Sequence, residues 1–252
     1  MGTMGRVLDG LNEKLRSGPL HFTLIDPDKS PGSRAAEIAE GAVGLGSDAI
    51  LLGGSTGISR AKMGEAARAV KAAVPVPVII FPEGPSSLTD SADAVLFMSL
   101  LNSRRLDLVI RVHALAAPVI RQMNLEAIPL GYLVVAPGMR VGEVGEVDAV
   151  PRDAPQVAVG YALAAEMLGM GMVYLEAGSG APTPVPSEII RAVRGSIRIP
   201  LIVGGGIRTA GDARQVLDAG AQILVTGSVT EEEGIAEGFR GILGEVRRAR
   251  GR

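Results

Sequence analysis

Five short segments carry residue types that can do chemistry. The first is residues 25–29, IDPDK, where Asp26 and Asp28 bracket a proline. Carboxylate oxygens suit a hard cation such as Mg²⁺, which is usually held by one or two carboxylates plus substrate phosphates. Asp-Pro-Asp is equally ordinary turn chemistry. The second is residues 51–57, LLGGSTG, where glycines admit close backbone approach and Ser55 or Thr56 offers a hydroxyl to a metal or a phosphate. A plain strand-to-helix turn would read the same way. The third is residues 174–181, YLEAGSGA. Its small residues can present amide N–H groups to an anion, and Glu176 beside them is placed for general-base work on a bound hydroxyl. A strand-end glutamate in a surface ion pair is the plainer alternative, but the flanks here are apolar. The last two, VGGGIRT (203–209) and VTGS (225–228), lie about one β/α unit apart. Two such loops after successive late strands, with a helix N-terminus, form a phosphate grip in barrels of this type.

Those segments need a scaffold that brings them together. Apolar runs predict eight short strands: His21–Ile25, Ala49–Leu52, Val78–Phe81, Ala94–Met98, Tyr132–Val135, Val173–Glu176, Leu201–Val203 and Ile223–Val225. They are continuous rather than alternating, as strands covered on both faces should be. Helical stretches lie between them. Arg34–Leu45 has Ser33 as its expected N-cap and Gly46 beyond its end. Ser59–Ala73, Leu106–Met123, Ser187–Val193 and Glu232–Arg248 have similar character. Eight β-then-α units without a composition break predict one domain over 1–252, an α/β TIM-type (β/α)8 barrel, possibly modified. A doubly wound open sheet is the alternative. The barrel is favoured because Asp26, Ser55, Glu176, Gly205 and Ser228 all fall at C-terminal strand ends, which a barrel gathers at one mouth. The long connection Ala136–Pro155 is read as a functional loop or lid.

Composition narrows the classes further. The chain has 252 residues, is 47% hydrophobic and only 3% aromatic, and has no Cys. Disorder, a disulfide framework and thiolate chemistry are excluded. A formal charge of −2 gives no nucleic-acid footprint. No apolar run is long enough for a signal peptide or a membrane span, so a cytoplasmic location is expected. His21 and His113 have no zinc-ligand spacing and read as structural. The C-terminal RRARGR reads as a solvated basic tail.

A phosphate grip beside a Mg²⁺ site points to a substrate with phosphate and a diphosphate leaving group, and hence to a transferase. A phosphosugar isomerase or aldolase on the same barrel is the competing enzyme class. It would show a Lys or paired acids at strand ends, and of the four Lys only Lys29 lies at a strand exit. A non-catalytic phosphate-binding module would not need Asp26 and Glu176 together.

Taken in order, TLIDPDK, GGSTG, FMSLLNS (97–103), PGMRVGEVG (137–145), YLEAGSGAPTPV (174–185), VGGGIRT and VTGS resemble the geranylgeranylglyceryl phosphate synthase family, from about His21 to Ser228. The resemblance implies a modified TIM barrel that joins sn-glycerol 1-phosphate to geranylgeranyl diphosphate with Mg²⁺, forming the first ether bond of archaeal lipids. It implies Asp26 and Ser55 as metal positions. It implies a glycerol phosphate site of Tyr174, Leu175, Glu176, Ala177, Gly178, Ser179, Gly180, Gly205, Gly206, Gly227 and Ser228. Glu176, with Tyr174, would be catalytic, Glu176 taking the proton from the glycerol C3 hydroxyl. The related heptaprenylglyceryl phosphate synthases are a variant reading, and a homo-oligomer is implied. The chain departs from the family pattern at Ala136, where a Glu is common.

Overall fold

The computed structural model describes residues 5–54, 57–227 and 237–251. Ser55, Thr56 and Ser228, and the start of the helix expected over 232–248, lie outside them. Within them the chain runs α1 (Arg6–Leu15), β1 (Leu20–Ile25), α2 (Gly32–Gly44), β2 (Ala49–Leu52), α3 (Arg60–Ala73) and β3 (Val78–Ile80). After β3 comes only a one-turn 3₁₀ segment, Pro85–Ser87. Then follow β4 (Ala94–Leu100), a π-helical turn (Asp107–Arg111), α4 (Val112–Gln122), β5 (Glu126–Val134), α5 (Met139–Val144), α6 (Pro155–Met167) and β6 (Met172–Glu176). The chain continues through α7 (Ser187–Ser196), β7 (Leu201–Gly204), α8 (Ala210–Asp218), β8 (Ile223–Thr226) and α9 (Glu237–Arg250).

The eight strands are parallel and close into a barrel, β8 pairing back on β1 with Thr23 opposite Thr226. Side chains alternate between two destinations. In β6, Met172 and Tyr174 fill the barrel interior, while Val173 and Leu175 pack outward against the helices. In β1, Leu20 and Phe22 point inward and Ile25 outward, so Asp26 just past the strand continues the inward set. The floor is closed by α1. Leu11 plugs the interior from below, and the carboxylate of Glu126 accepts the first-turn N–H groups of Val7 and Leu8 at 2.8 and 2.9 Å.

Several expectations are corrected. The third unit has no α-helix, so the count of eight β-then-α units becomes seven with a gap. α2 starts at Gly32 with Pro31 as N-cap and no side-chain cap. The Pro31 carbonyl accepts from Arg34 and Ala35, which sets the first turn before Ser33 can cap it. Ser59 does cap α3, accepting from the Lys62 N–H. β5 begins at Glu126 rather than Tyr132, because the strand passes through Pro129, paired opposite Phe97. The connection after β5 contains α5, and its Ala136–Pro137 peptide is cis.

His21 is structural. It is buried between β1 and α9, edge-on to Phe239, with Nε2 at 2.9 Å from the Thr226 hydroxyl and Nδ1 at 3.2 Å from that of Ser47. Burial, with a smaller contribution from Arg250, pushes its pKa down to about 3.

Candidate active site

Glu176 ends β6 at the barrel mouth and is buried. The Gly178 N–H donates to its Oε1 at 2.6 Å, and the Tyr132 hydroxyl donates to its Oε2 at 3.2 Å. The Tyr174 hydroxyl also hydrogen-bonds to this carboxylate. Burial raises the Glu176 pKa above the usual carboxylate range, and the bonds from Gly178, Tyr174 and Tyr132 restrain the rise. Both phenols are pushed well up, by burial first and by the adjacent carboxylate second. A buried carboxylate of raised proton affinity, held in place by oriented donors, is the environment of a general base.

The neighbouring glycines make that geometry possible. A β-carbon on Gly205, whose φ is +78°, would collide with the Glu176 carboxylate and sit 2.7 Å from the Gly178 nitrogen. One on Gly204 would strike the Tyr174 ring. The VGGG run therefore lets the β7 loop close over Glu176 and the loop after β6. Arg208 then ties the two loops together, donating to the Gly180 carbonyl at 2.8 Å. The N-terminus of α8 is closed by its own capping box between Thr209 and Asp212.

Across the mouth, Asp26 is buried and lines the same cavity as Glu176. Its Oδ1 accepts from the Asp28 N–H at 3.0 Å, so the Asp-Pro-Asp turn and a carboxylate that lines the cavity coexist. A β-carbon on Gly54 would lie 2.5 Å from Asp26 Oδ1, so the bare glycine lets the backbone at Gly54 lie against this carboxylate. Asp28 turns away and pairs with Lys62 at 2.7 Å. Of the two aspartates only Asp26 faces the cavity. Glu83, at the exit of β3, also lines it. Its pKa is raised, first by burial, with the charges of Asp26 and Asp28 contributing after that.

These groups open on one cavity of about 450 Å³, within the usual range for small-molecule sites. Its polar end holds Asp26, Lys29, Glu176, Ser179 and Gly227. Its other arm is apolar and leaves the barrel between β4 and α4, where Leu88, Val95, Phe97, Val112, Ala116 and Ile120 line it. That arm occupies the outer layer where the third unit lacks its helix. His113 lines it too. Its Nε2 donates to the Met98 carbonyl at 2.7 Å, and its ring stands edge-on to Phe97.

The expected site residues sort by side-chain direction. Tyr174, Glu176, Ser179 and Gly227 meet at the cavity with Asp26. Gly178, Gly205 and Gly206 lie in the loops beside it, and Gly180 accepts the Arg208 bond on the exposed side. Leu175 and Ala177 point into the outer core, so they offer the mouth only their backbone. Ser55 and Ser228 lie outside the described residues. Tyr132, Phe81 and Glu83 were not anticipated. Tyr132 shares the inward parity of Ile128 and Leu130 in β5, a signal readable only once the strand is known to begin at Glu126.

Fold and cavity define a (β/α)8 barrel whose candidate site lies at the C-terminal ends of its strands. The chain belongs to the PcrB family, whose sequence model matches residues 11–244. It is 46% identical over 243 residues to the geranylgeranylglyceryl phosphate synthase of Thermococcus gammatolerans, covering 96% of each chain. It is 47% identical over 233 residues to the protein of the same name from Methanothrix thermoacetophila, covering 92% of this chain and 91% of that one. Among solved structures, (S)-3-O-geranylgeranylglyceryl phosphate synthase from Thermoplasma acidophilum, in complex with its substrate sn-glycerol-1-phosphate, superposes with a TM-score of 0.92 at 44% identity. The match covers 96% of this chain and 98% of that one. A thiamine phosphate pyrophosphorylase from Pyrococcus furiosus, with a TM-score of 0.59 at 18% identity, shares the fold.

Proposed function

We propose that this chain joins sn-glycerol 1-phosphate to geranylgeranyl diphosphate, forming 3-O-geranylgeranylglyceryl 1-phosphate and releasing diphosphate. The observation that carries this reading is one cavity with a buried base at the junction of its polar and apolar arms. The names of the relatives and the glycerol phosphate bound in the Thermoplasma acidophilum structure support it.

In this reading the loop amides of Ser179, Gly180, Gly205 and Gly206, with Gly227 and Ser228, receive the phosphate of the acceptor, while the Gly178 N–H holds Glu176. That contact fixes one end of a short molecule and aims its C3 hydroxyl at Glu176, which supplies proximity as well as base catalysis. The apolar arm takes the prenyl tail and keeps water from the reacting carbon. Asp26 fits a hard divalent cation: it is a buried carboxylate against the bare glycine Gly54, and Glu83 is a second carboxylate lining the same cavity. Asp26 and Ser55 would hold Mg²⁺. When bound, the cation neutralises the diphosphate and so improves it as a leaving group.

The exposed face of α6 supports the homo-oligomer. Met167 and Leu168 are 82% and 74% exposed on a helix with little polar surface. A second copy covering them would remove an apolar patch from water. Sedimentation of the native chain should give more than a monomer mass, and a Met167→Lys/Leu168→Lys double variant should give less. A monomeric native chain would refute this assignment.

The test of function is a product assay. The purified protein is incubated with Mg²⁺, sn-glycerol 1-phosphate and farnesyl, geranylgeranyl or heptaprenyl diphosphate, and products are read by mass spectrometry. Ether product from the geranylgeranyl donor, lost with EDTA, is expected. Preference for the heptaprenyl donor would move the chain to the heptaprenylglyceryl phosphate synthase reading. No ether product with any donor would sink the prenyl-transfer reading.

A further inference from the structure

The chain has only four Phe and three Tyr. Three of these seven rings meet at one point. Phe81 at the exit of β3, Tyr132 in β5 and Tyr174 in β6 stand edge-to-face, with centroids 4.9 Å apart for the two tyrosines, 5.8 Å for Phe81–Tyr132 and 6.3 Å for Phe81–Tyr174. All three line the cavity beside Glu176, at the junction of its polar and apolar arms. Apart from Phe22, the rest of the barrel interior is packed with aliphatic side chains. Volume alone therefore does not call for aromatics here.

The junction is where the allylic carbon of a prenyl diphosphate would sit, with its tail in the apolar arm and its diphosphate toward Asp26. Heterolysis of an allylic carbon–oxygen bond leaves a delocalised cation. A ring face attracts the charge through its quadrupole without forming a bond, and more strongly when both are desolvated. Both tyrosines have their hydroxyls on Glu176. Those bonds fix the rings and hold the carboxylate in place.

We propose that Phe81, Tyr132 and Tyr174 form an aromatic box that stabilises the positive charge developing at the allylic carbon of the donor. The assignment rests on the prenyl-transfer reading. In the step, the C1–O bond to diphosphate breaks and its electron pair leaves with the diphosphate oxygen. An oxygen lone pair of the glycerol C3 hydroxyl forms the new C1–O bond, and the hydroxyl proton passes to the Glu176 carboxylate. The box takes no proton and makes no bond; it lowers the barrier to the first event.

Phe81 is the ring without a hydroxyl, so its electronics can be changed nearly isosterically. Replacing it with mono-, di- and trifluorinated phenylalanine weakens the ring's attraction for a cation while keeping its shape. We expect kcat with the geranylgeranyl donor to fall stepwise, by about tenfold across the series. The KM for sn-glycerol 1-phosphate and the melting temperature should stay constant, and Phe81→Leu should lose at least as much in kcat. A native enzyme that makes the ether, with a flat fluorine series, would overturn the box and leave the prenyl-transfer reading standing. A native chain that makes no ether removes both.

Discussion

Glu176 carries two opposing influences: burial raises its proton affinity and three donors lower it. Replacing it with Gln keeps the shape and removes the base. Glu176→Gln should lower turnover by about 10²-fold or more while leaving sn-glycerol 1-phosphate affinity nearly intact by calorimetry. Tyr132→Phe separates the donors from the acceptor. The Tyr132 bond favours the ionised form of Glu176, so its loss raises the Glu176 pKa further. The base works ionised, so the acidic limb of kcat/KM should move to higher pH, with activity recovered on the alkaline side. An unmoved limb in the pH–rate profile would show that Tyr132 does not act through Glu176. Asp26→Asn should raise the Mg²⁺ concentration needed for half-maximal rate. Asp28→Asn should not, because Asp28 is engaged by Lys62 on the outside. Asp26, Tyr174 and Glu176 were legible in the sequence because each stands beside a motif at a strand end. Tyr132 and Phe81 were not. They lie in or just past apolar strands, where only side-chain parity separates a site residue from a core residue. That parity needs the strand boundaries, and those of β5 were displaced by Pro129.

The eight strands were legible because buried parallel strands are written as unbroken apolar runs. The helices between them were less so. Between β3 and β4 the sequence offers FPEGPSSLTDSAD, whose prolines, glycine and serines allow only the short turn Pro85–Ser87. A regular helix there would fill the apolar arm of the cavity, so under the prenyl-transfer reading this irregular unit is what would accommodate a long donor. Narrowing the arm from the helix side tests the idea. Ala116 on α4 is buried and lines the arm. Ala116→Phe should raise KM for geranylgeranyl diphosphate well above that for a shorter donor such as geranyl diphosphate. Equal effects on the two donors would place the tail elsewhere. Local helix signals can be tested separately. Ser59→Ala removes the only side-chain bond at the N-cap of α3 and should cost about 1 kcal/mol in chemical denaturation, without changing donor selectivity.

At the scale of the whole molecule, the ends of the barrel differ. The floor is sealed by α1 and the Glu126 bonds, and beside β1 and β8 the neutral His21 is locked in a hydroxyl network. His21 gives acid sensitivity a defined sign. Its folded pKa of about 3 lies below the ordinary 6.5, so the unfolded chain binds the extra proton between those values. Its stability contribution is complete above about pH 6.5 and is lost as pH falls toward about 3. Urea midpoints at about pH 7 and about pH 5 should differ for the native chain, and by less for His21→Asn. The upper end is open in two directions, through the mouth and sideways between β4 and α4. The residues that would hold the acceptor and those that would measure the tail therefore lie on different walls, and several of the latter belong to the outward-facing set that contacts α4. Under the prenyl-transfer reading, a library confined to Val95, Phe97, Ala116 and Ile120 would retune tail length without altering the base or its supporting loops, and tail length could drift in evolution while the chemistry stayed fixed.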